Sequence, residues 1–345
     1  MYKSINLVWL TKAEMSNINA GEGSEVKMTP SGKPYASGQS FRNALRETLF
    51  RENPTGQKCV PEAPCGNITE CWLCDMFGYL IPSVQEKRWS PIKVSPMLGQ
   101  LKSEFIADML VRASIIDKNA DKDVAAVEKA KLKVDTLQRE IEEMEDKNEP
   151  TTEKKEELKQ AEEKLQKAKE KLANTKDSRI AYVQLIENIY KAGIDIDVNN
   201  IGVKLKPKVE KGKFVKWEKD QELKETEKKT RIAAFLKAVS NLSGFAKQAR
   251  NAVSLSPDIL LISMQDVYNQ RLHKALSFDE GGNIPLDTLE TVLQDMKDIE
   301  STLFFGYTAG IINKENEKEL FELTKKFRIE TMNPTKAIAS AIAKV

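Results

Sequence analysis

The chain has 345 residues, of which 40% are apolar and 31% are charged, and its formal net charge is +2. These values fit one elaborated domain or two small ones with a real core, and they exclude an intrinsically disordered chain. His273 is the one histidine of the sequence, so sites that need two histidines are excluded. No apolar run approaches the roughly 18–20 residues of a membrane-spanning helix. The N-terminal segment predicts a strand and not a signal peptide, because Glu14 precedes any cleavage-like site, so we expect a soluble, cytoplasmic protein.

Strands and helices are predicted to alternate along most of the chain, which is typical of an α+β sheet domain with insertions. Ser4–Leu10 has the pattern of a strand, a glycine- and polar-rich stretch follows, and a helix is predicted from Gly38 or Gln39 to about Arg51. The further strand predictions are Arg88–Ser95, Ile194–Val198, Gly202–Lys206, Lys213–Trp217, Ile259–Ser263 and Leu303–Tyr307. The further helix predictions are Glu225–Asn241, Leu286–Ile299 and Glu315–Phe327.

Four cysteines lie close together in the sequence with the spacing C-x5-C-x5-C-x2-C: Cys59, Cys65, Cys71 and Cys74. In a reducing compartment, clustered cysteines are more often metal ligands than disulfides. Four thiolates would complete a tetrahedral zinc and leave no position for a reactive water, so the predicted zinc site is structural. An iron–sulfur cluster and unligated thiols remain open alternatives, because the two x5 gaps are longer than the common spacings.

The segment from Lys118 to Asp177 carries 15 basic and 17 acidic residues and therefore nearly balances its own charge. Apolar residues recur every three or four positions on both sides of the break at Asn148–Thr152, which predicts two helices in an antiparallel hairpin about 35–40 Å long. Thr152 is the predicted N-cap of the second helix. Either the hairpin is a plain structural protrusion or it forms a docking surface for a partner.

Three short basic segments suit a polyanion. At the predicted helix start, Gln39 and Ser40 offer neutral donors, and Arg42 and Arg46 lie one turn apart, which favours phosphate binding at a helix N-terminus. The segment from Val203 to Lys219 carries seven lysines against two glutamates and predicts a β-hairpin. A turn at Ser243–Gly244 is followed by Lys247, Gln248 and Arg250 without any nearby acid.

The order of these segments resembles a known family. An N-terminal strand, "SGQSFR" at the first helix, a long insertion, "YKAGIDIDVNNIG" before a basic hairpin, and "NLSGFAKQAR" before the strand "SPDILLIS" follow one another. This series is similar to the crRNA-binding backbone subunit of type I CRISPR Cascade complexes, in the DevR-type branch of the RAMP superfamily. The resemblance covers roughly half of the chain.

The resemblance implies an RRM-like (ferredoxin-like) palm, a fingers insertion and a β-hairpin thumb. The palm would comprise residues 1–55 and 178–345, with the thumb at about 200–222. The fingers would comprise residues 56–177, with the cysteine loop at 56–78 and the helical hairpin at 118–177. The implied partners are crRNA, target DNA paired with the guide, further copies of the chain along the guide, and other Cascade subunits.

The RNA contacts expected from the resemblance and from the basic segments fall into three groups. They are Asn19, Ser37, Gln39, Ser40, Arg42 and Arg46 around the first helix; Lys204, Lys206 and Lys213 on the thumb; and Ser243, Lys247, Gln248 and Arg250 at the glycine turn. The cysteine cluster and the helical hairpin inherit no role, because many relatives lack them. A pair of sheet aromatics that could stack bases is not evident, which favours binding of the RNA backbone over reading of its bases.

Two other function classes remain open. Backbone subunits of type III complexes cut target RNA with an aspartate in the loop after the first strand, whereas this chain has no aspartate before Asp75. We therefore expect no enzymatic activity. A scaffold built from zinc and a coiled coil, without nucleic acid, would explain residues 56–177 but not the basic hairpin. His273 is expected on a helix, facing solvent or packing against neighbours.

Overall fold

A computed structural model describes residues 2–18, 26–104, 106–111, 118–146, 150–177, 180–243 and 252–345. The chain forms two compact units. The first comprises Met1–Ile106 and Leu185–Val345, and the second comprises Ala107–Gln184. No helix among the described residues is long and apolar enough to cross a membrane.

The strands are, in chain order, β1 (Ser4–Ser16), β2 (Tyr35–Ala36), β3 (Tyr79–Ile81), β4 (Glu86–Arg88), β5 (Ile92–Val94), β6 (Met97–Gly99), β7 (Ile106–Val111), β8 (Ile180–Asp197), β9 (Val203–Glu210), β10 (Lys213–Glu222), β11 (Ile259–Gln265), β12 (Thr302–Tyr307) and β13 (Thr331–Met332). The helices are α1 (Gly38–Glu52), α2 (Trp72–Phe77), α3 (Lys118–Asp146), α4 (Thr152–Asp177), α5 (Glu225–Ser240), α6 (Leu286–Asp298), α7 (Lys314–Lys326) and α8 (Pro334–Ile342).

Within the described residues, nine strands form one mixed sheet in the order β13-β12-β11-β1-β8-β6-β2, with β5 and β7 also pairing with β8. β1 lies at its centre and runs antiparallel to both neighbours, so that Leu7 faces Ile262 on β11 and Ile194 on β8. The pair β12–β13 is parallel. β9–β10 and β3–β4 form separate two-stranded hairpins. This mixed sheet with helices confirms the α+β class.

Helices cover both faces of the sheet, which explains why β1 is buried along most of its length. On one face α1, α5 and α8 pack against the sheet, and Trp9 meets Phe41 of α1 with ring centroids 5.6 Å apart. On the other face α6 and α7 pack against residues such as Val8 and Leu261. The alternation along β1 therefore divides its apolar side chains between two cores.

The second unit contains α3 and α4, which pack along a narrow seam. Val134 and Leu137 of α3 are buried with Ala161 of α4, and Leu158 and Leu165 flank them. Lys154 lies 2.6 Å from Glu140 on the facing helix. The predicted helix pair is confirmed. The predicted N-cap is wrong by one residue, because Thr152 is the first residue of α4 and the carbonyl of Thr151 accepts the first helical bond, from Lys155 N.

The predicted ends of α1, α5, α6 and α7 are confirmed to within one residue. The strand predicted at Arg88–Ser95 is wrong as a single element. It is divided into β4 and β5 at Pro91, whose nitrogen has no hydrogen to donate to a neighbouring strand. The strand predicted at Ile194–Val198 is the end of the much longer β8.

Candidate functional site

The four cysteines converge on one point of the first unit. Their sulfur atoms all lie within 4.8 Å of one another, and none of the cysteines forms a disulfide. Cys59 Sγ lies 3.4 Å from Cys71 Sγ and 3.5 Å from Cys74 Sγ, and Cys65 Sγ lies 3.7 Å from Cys74 Sγ. A tetrahedral zinc with bonds of about 2.3 Å needs sulfurs about 3.7 Å apart, so the four donors fit a single metal ion.

The loop between the cysteines is shaped by local polar contacts. Asn67 Oδ1 accepts hydrogen bonds from the backbone nitrogens of Thr69 and Glu70, and this turn leads into Cys71 just before α2. The hydrogen bond from Cys74 to Cys71 lowers the pKa of Cys71 to about 4 and raises the pKa of Cys74. Burial raises the pKa of Cys59 to about 11.

Next to the cluster lies a buried ion network centred on Asp75. The carboxylate is fully buried and contacts two arginines, with Arg88 Nη2 at 2.7 Å and Arg231 Nη1 at 2.7 Å. Desolvation raises the pKa of Asp75, and the charges of Arg88 and Arg231 oppose this shift. No sequence motif predicts this network, since Asp75 and Arg231 are far apart in the chain.

The start of α1 is capped and partly committed to internal contacts. Ser37 Oγ accepts a hydrogen bond from Ser40 N at 3.2 Å, while Ser40 is buried with its hydroxyl directed to the carbonyl of Ile18. Gln39 is exposed. The first turn contains no acidic residue, so its amide dipoles present positive potential to solvent.

Arg42 and Arg46 lie on α1 as predicted, one turn apart and half-buried. Arg42 donates to the carbonyl of Phe77 and lies over its ring at 5.7 Å, and Arg46 donates to Asn43 Oδ1. Burial lowers the pKa of both guanidinium groups. Phosphate binding at either arginine therefore has to compete with a contact inside the protein.

The described part of the glycine turn reaches the far end of α1. Ser243 N donates to Thr48 Oγ1 at 3.1 Å, and Arg51 Nη1 donates to Ser243 Oγ at 3.3 Å. Since a helix rises about 1.5 Å per residue, Ser243 lies roughly 15 Å along α1 from Gln39. Four predicted contacts, namely Asn19, Lys247, Gln248 and Arg250, lie outside the described residues.

The β9–β10 hairpin closes at Lys211 and Gly212, whose φ angles of +50° and +75° are those of a type I′ turn. Five of its lysines are paired with carboxylates, including Lys204 with Glu86 at 2.7 Å and Lys206 with Asp220 at 2.9 Å. Among the described residues, Lys213 has no such partner and is exposed at the tip. The lysine count of the sequence thus overstates the free positive charge of this hairpin.

The hairpin also presents an apolar surface that was not predicted from the sequence. Phe214 and Trp217 are 58% and 60% exposed, and their ring centroids lie 5.7 Å apart. A bulge between Phe214 and Lys216 shifts the strand register, so two aromatics three positions apart come into contact. Leu205 and Val209 on β9 are also exposed. In the sequence, the two aromatics of the segment FVKW, Phe214 and Trp217, are the feature that could have indicated this surface.

His273 lies in a short 3-10 turn, Arg271–Lys274, and contacts the sheet. Its Nε2 is 2.8 Å from Asp195 Oδ1, an atom that also accepts from Asn6. The imidazole is packed so closely on Gly193 that a Cβ there would lie 2.0 Å from Nδ1. His273 therefore packs against its neighbours in a half-buried position.

A protein-family model described as the CRISPR-associated negative auto-regulator DevR/Csa2 matches residues 29–269. The matched range includes α1, the cysteine loop and the β9–β10 hairpin. The chain belongs to the DevR/Csa2 family. No curated protein sequence matches it significantly.

Two solved structures are similar to this DevR/Csa2 chain over 99% of its length and 99% of their own. One is a "CRISPR RNA-guided surveillance complex" chain with 12% identity and a TM-score of 0.54. The other is a "CRISPR RNA-guided surveillance complex, pre-nicking" chain with 9% identity and a TM-score of 0.54. At such low identity, the likeness concerns the fold.

Proposed function

We propose that the chain is a non-catalytic subunit that binds CRISPR guide RNA, polymerises along it as the backbone of a type I surveillance complex, and presents it for pairing with target DNA. The observation that carries the proposal is the exposed hairpin Val203–Glu222, with a basic tip and two exposed aromatics, on a DevR/Csa2-family fold. Guide RNA, target DNA, further copies of the chain and other complex subunits are the proposed partners.

The strand order supports an RRM-like palm. In β11-β1-β8-β6, each neighbouring pair is antiparallel, α1 follows β1, and α5 follows β8. This is the order of a β-α-β-β-α-β unit, with both helices on one face of the sheet. In this proposal, β12 and β13 extend the palm and β9–β10 is the thumb.

Guide binding is proposed to rest mainly on phosphate contacts. The α1 start offers Ser37, exposed Gln39, and the cations Arg42 and Arg46, and the hairpin tip offers Lys213. Phosphate contacts carry no base information, which suits a protein that must accept any guide sequence. Lys204, Lys206 and Ser243 are proposed contacts that must exchange an internal partner for RNA.

The proposed metal is zinc, held by Cys59, Cys65, Cys71 and Cys74. The sulfurs are too close together to enclose an iron–sulfur cluster, whose iron and sulfide atoms need more room than a single ion. Bound zinc would supply a cross-link within the loop, and with four protein ligands it would have no open position for substrate. The cysteines are therefore assigned a structural role.

The rival to this proposal is a target-RNA ribonuclease. The loop after β1 has no aspartate, and its two glutamates, Glu22 and Glu25, lie outside the described residues. Among the described residues, the cysteine cluster is the one group of three or more potential metal ligands, and its four thiols would leave no open position on a bound ion. We therefore propose that the chain does not cut RNA.

The deciding experiment is purification of the chain expressed with the proteins and CRISPR array encoded beside it. A backbone subunit should copurify with RNA of uniform length, should not cut complementary RNA in Mg²⁺, and should contain one zinc per chain. RNA-free protein in such a preparation would support a scaffold, and cleavage of complementary RNA would support the nuclease. Either outcome would overturn the proposal.

A further inference from the structure

One buried carboxylate joins the cysteine loop to the base of the β9–β10 hairpin. Asp75 follows Cys74 on α2 and is fully buried. Its Oδ1 and Oδ2 accept hydrogen bonds from the backbone nitrogen of Gly202 at 2.8 and 3.0 Å, where the chain enters β9. The side chain that follows the last cysteine thus holds the first residue of the hairpin base.

Two arginines contact Asp75 and also bind backbone carbonyls, Arg88 at the hairpin base and Arg231 in the cysteine loop. Arg88 Nη2 contacts Asp75 and also donates to the carbonyl of Asn200 at 2.6 Å, while Arg88 Nη1 donates to the carbonyl of Val203. These two carbonyls lie on either side of Gly202. Arg88 therefore fixes the backbone of the hairpin base.

Arg231 holds the cysteine loop in the same network. Its Nη1 contacts Asp75 Oδ2 and donates to the carbonyl of Ile68 at 2.8 Å, and its Nη2 donates to the carbonyl of Thr69 at 2.8 Å. Ile68 and Thr69 lie between Cys65 and Cys71. Any movement of this loop would therefore act directly on the partners of Asp75.

The hairpin base has little freedom to adapt to such a movement. Gly202 has a φ of +69°, and a Cβ there would lie 2.8 Å from Leu223 Cδ1. Its carbonyl accepts from Leu223 N at 2.8 Å, so Gly202 binds both the entry to the hairpin and the exit from it. Gly202, which Asp75 holds, is thus one of the points that fix the hairpin base, together with the bond from Arg88 to the carbonyl of Val203.

We propose that Asp75 is a positioning residue that couples metal occupancy of the cysteine cluster to the order of the hairpin base. The proposal rests on the proposed metal site. With metal bound, the four sulfurs fix the loop and hence the carbonyls that Arg231 binds. Without metal, the loop relaxes, the partners of Asp75 shift, and the bond from Gly202 to the carboxylate opens more often. Metal occupancy of the cysteine cluster would then change the order of the hairpin base.

Hydrogen–deuterium exchange of the full chain tests this coupling, with zinc content measured on the same samples. Removal of zinc by a chelator should speed exchange at Gly202, Val203 and Leu223 about tenfold, which corresponds to the loss of one hydrogen bond to a charged group. Exchange in β11 should not change. Restoring zinc should restore slow exchange, which separates this effect from irreversible unfolding.

Variants distinguish the coupling from general destabilisation. Asp75→Asn and the milder Arg88→Lys should retain zinc yet show fast exchange at Gly202 whether or not zinc is present. The matched control is Asp220→Asn, which breaks the Lys206 pair within the hairpin and should keep the response of Gly202 to zinc. If Asp75→Asn fails to fold, Arg88→Lys and the chelation of the native chain decide the matter.

The possible failures are distinguishable. A chain that binds no metal overturns the metal site and the coupling together. A chain that binds zinc but shows equal exchange at Gly202 with and without it overturns the coupling alone. Native exchange at Gly202 in zinc-loaded Asp75→Asn and Arg88→Lys proteins would show that Asp75 does not couple the cysteine cluster to the hairpin base.

Discussion

Replacing Arg231 by methionine tests how much the buried ion network stabilises the first unit. Arg231 is fully buried and bonds to Asp75, to Glu227 and to two backbone carbonyls. Its removal leaves the Asp75 carboxylate with one arginine, and it leaves the buried carbonyls of Ile68 and Thr69 without that donor. Breaking a buried ion pair on one side typically costs about 3–5 kcal/mol, because the remaining charge stays buried.

The chain offers a matched control. Arg271 contacts Asp295 at 2.6 Å, as close as Arg231 to Asp75 at 2.7 Å, but the Arg271 side chain is 51% exposed. Solvent screens such a pair, so Arg271→Met should cost less than about 1 kcal/mol. The two variants remove the same kind of charge from pairs of nearly equal length. They differ in burial and in the buried carbonyls of Ile68 and Thr69, which Arg231 also binds.

Urea unfolding followed by tryptophan fluorescence measures both effects in the first unit, because all four tryptophans lie within its residue ranges. Arg231→Met should lower the free energy of unfolding by about 3–5 kcal/mol. The melting temperature should fall by about 6–15 °C, at about 2–3 °C per kcal/mol for a unit of this size. Equal losses in the two variants would refute the reasoning, since burial would then not determine the cost.

Three further predictions concern other parts of the chain. Arg42→Ala with Arg46→Ala should weaken guide binding equally for all guide sequences. In binding titrations, the slope of log affinity against log salt should fall by about 1.4. The control Lys318→Ala with Lys325→Ala should change neither the affinity nor the slope. Burial lowers the pKa of Lys191 from 10.5 to about 8, so the unfolded chain binds more protons between these values and stability should rise with pH there. Lys191→Met should reduce this rise in urea titrations and stabilise the chain at pH 7, because it removes a cation that burial disfavours. Deletion of Asp121–Lys176 should leave RNA binding intact, because α3 and α4 pack on each other through their own seam. If the deletion variant folds but fails to bind guide, the helical hairpin is an RNA contact.

Elements with one buried face could be predicted from the sequence. In α1, Phe41, Leu45 and Leu49 recur with helical spacing, and Ser37 supplies the N-cap. β8 shows the limit of this reasoning. From Ile194 its residues alternate between apolar and polar, and this part was predicted as a strand. Earlier in β8 the apolar Leu185 and Ile186 are adjacent, so the alternation is interrupted there.

The candidate site was predictable to the extent that its residues are neighbours in the sequence. The four cysteines lie within one short segment, and their spacing indicated a common metal. Asp75, Arg88 and Arg231 are brought together by α2, β4 and α5, and no local pattern relates an aspartate to an arginine 156 residues away. The contact between Phe214 and Trp217 likewise depends on a bulge that hydrophobic patterning does not reveal.

The pairing of the hairpin lysines changes the kind of RNA contact expected from this element. Most of its positive charge is neutralised internally, whereas Phe214 and Trp217 present their rings to solvent. Stacking of a base on an aromatic side chain contributes about 1–3 kcal/mol and releases no counterions. Phe214→Ala with Trp217→Ala should therefore weaken guide binding at least fivefold while the salt slope stays native, the reverse of the Arg42 and Arg46 result.

The stacking prediction needs a control that separates lost rings from a disordered hairpin. Val215→Ala removes an exposed apolar side chain between the two rings and should leave guide affinity within twofold of native. A double aromatic variant that binds guide normally would show that the rings face another partner. A variant whose salt slope falls with its affinity would show that the aromatics act by placing Lys213, and in that case electrostatics would govern the hairpin after all.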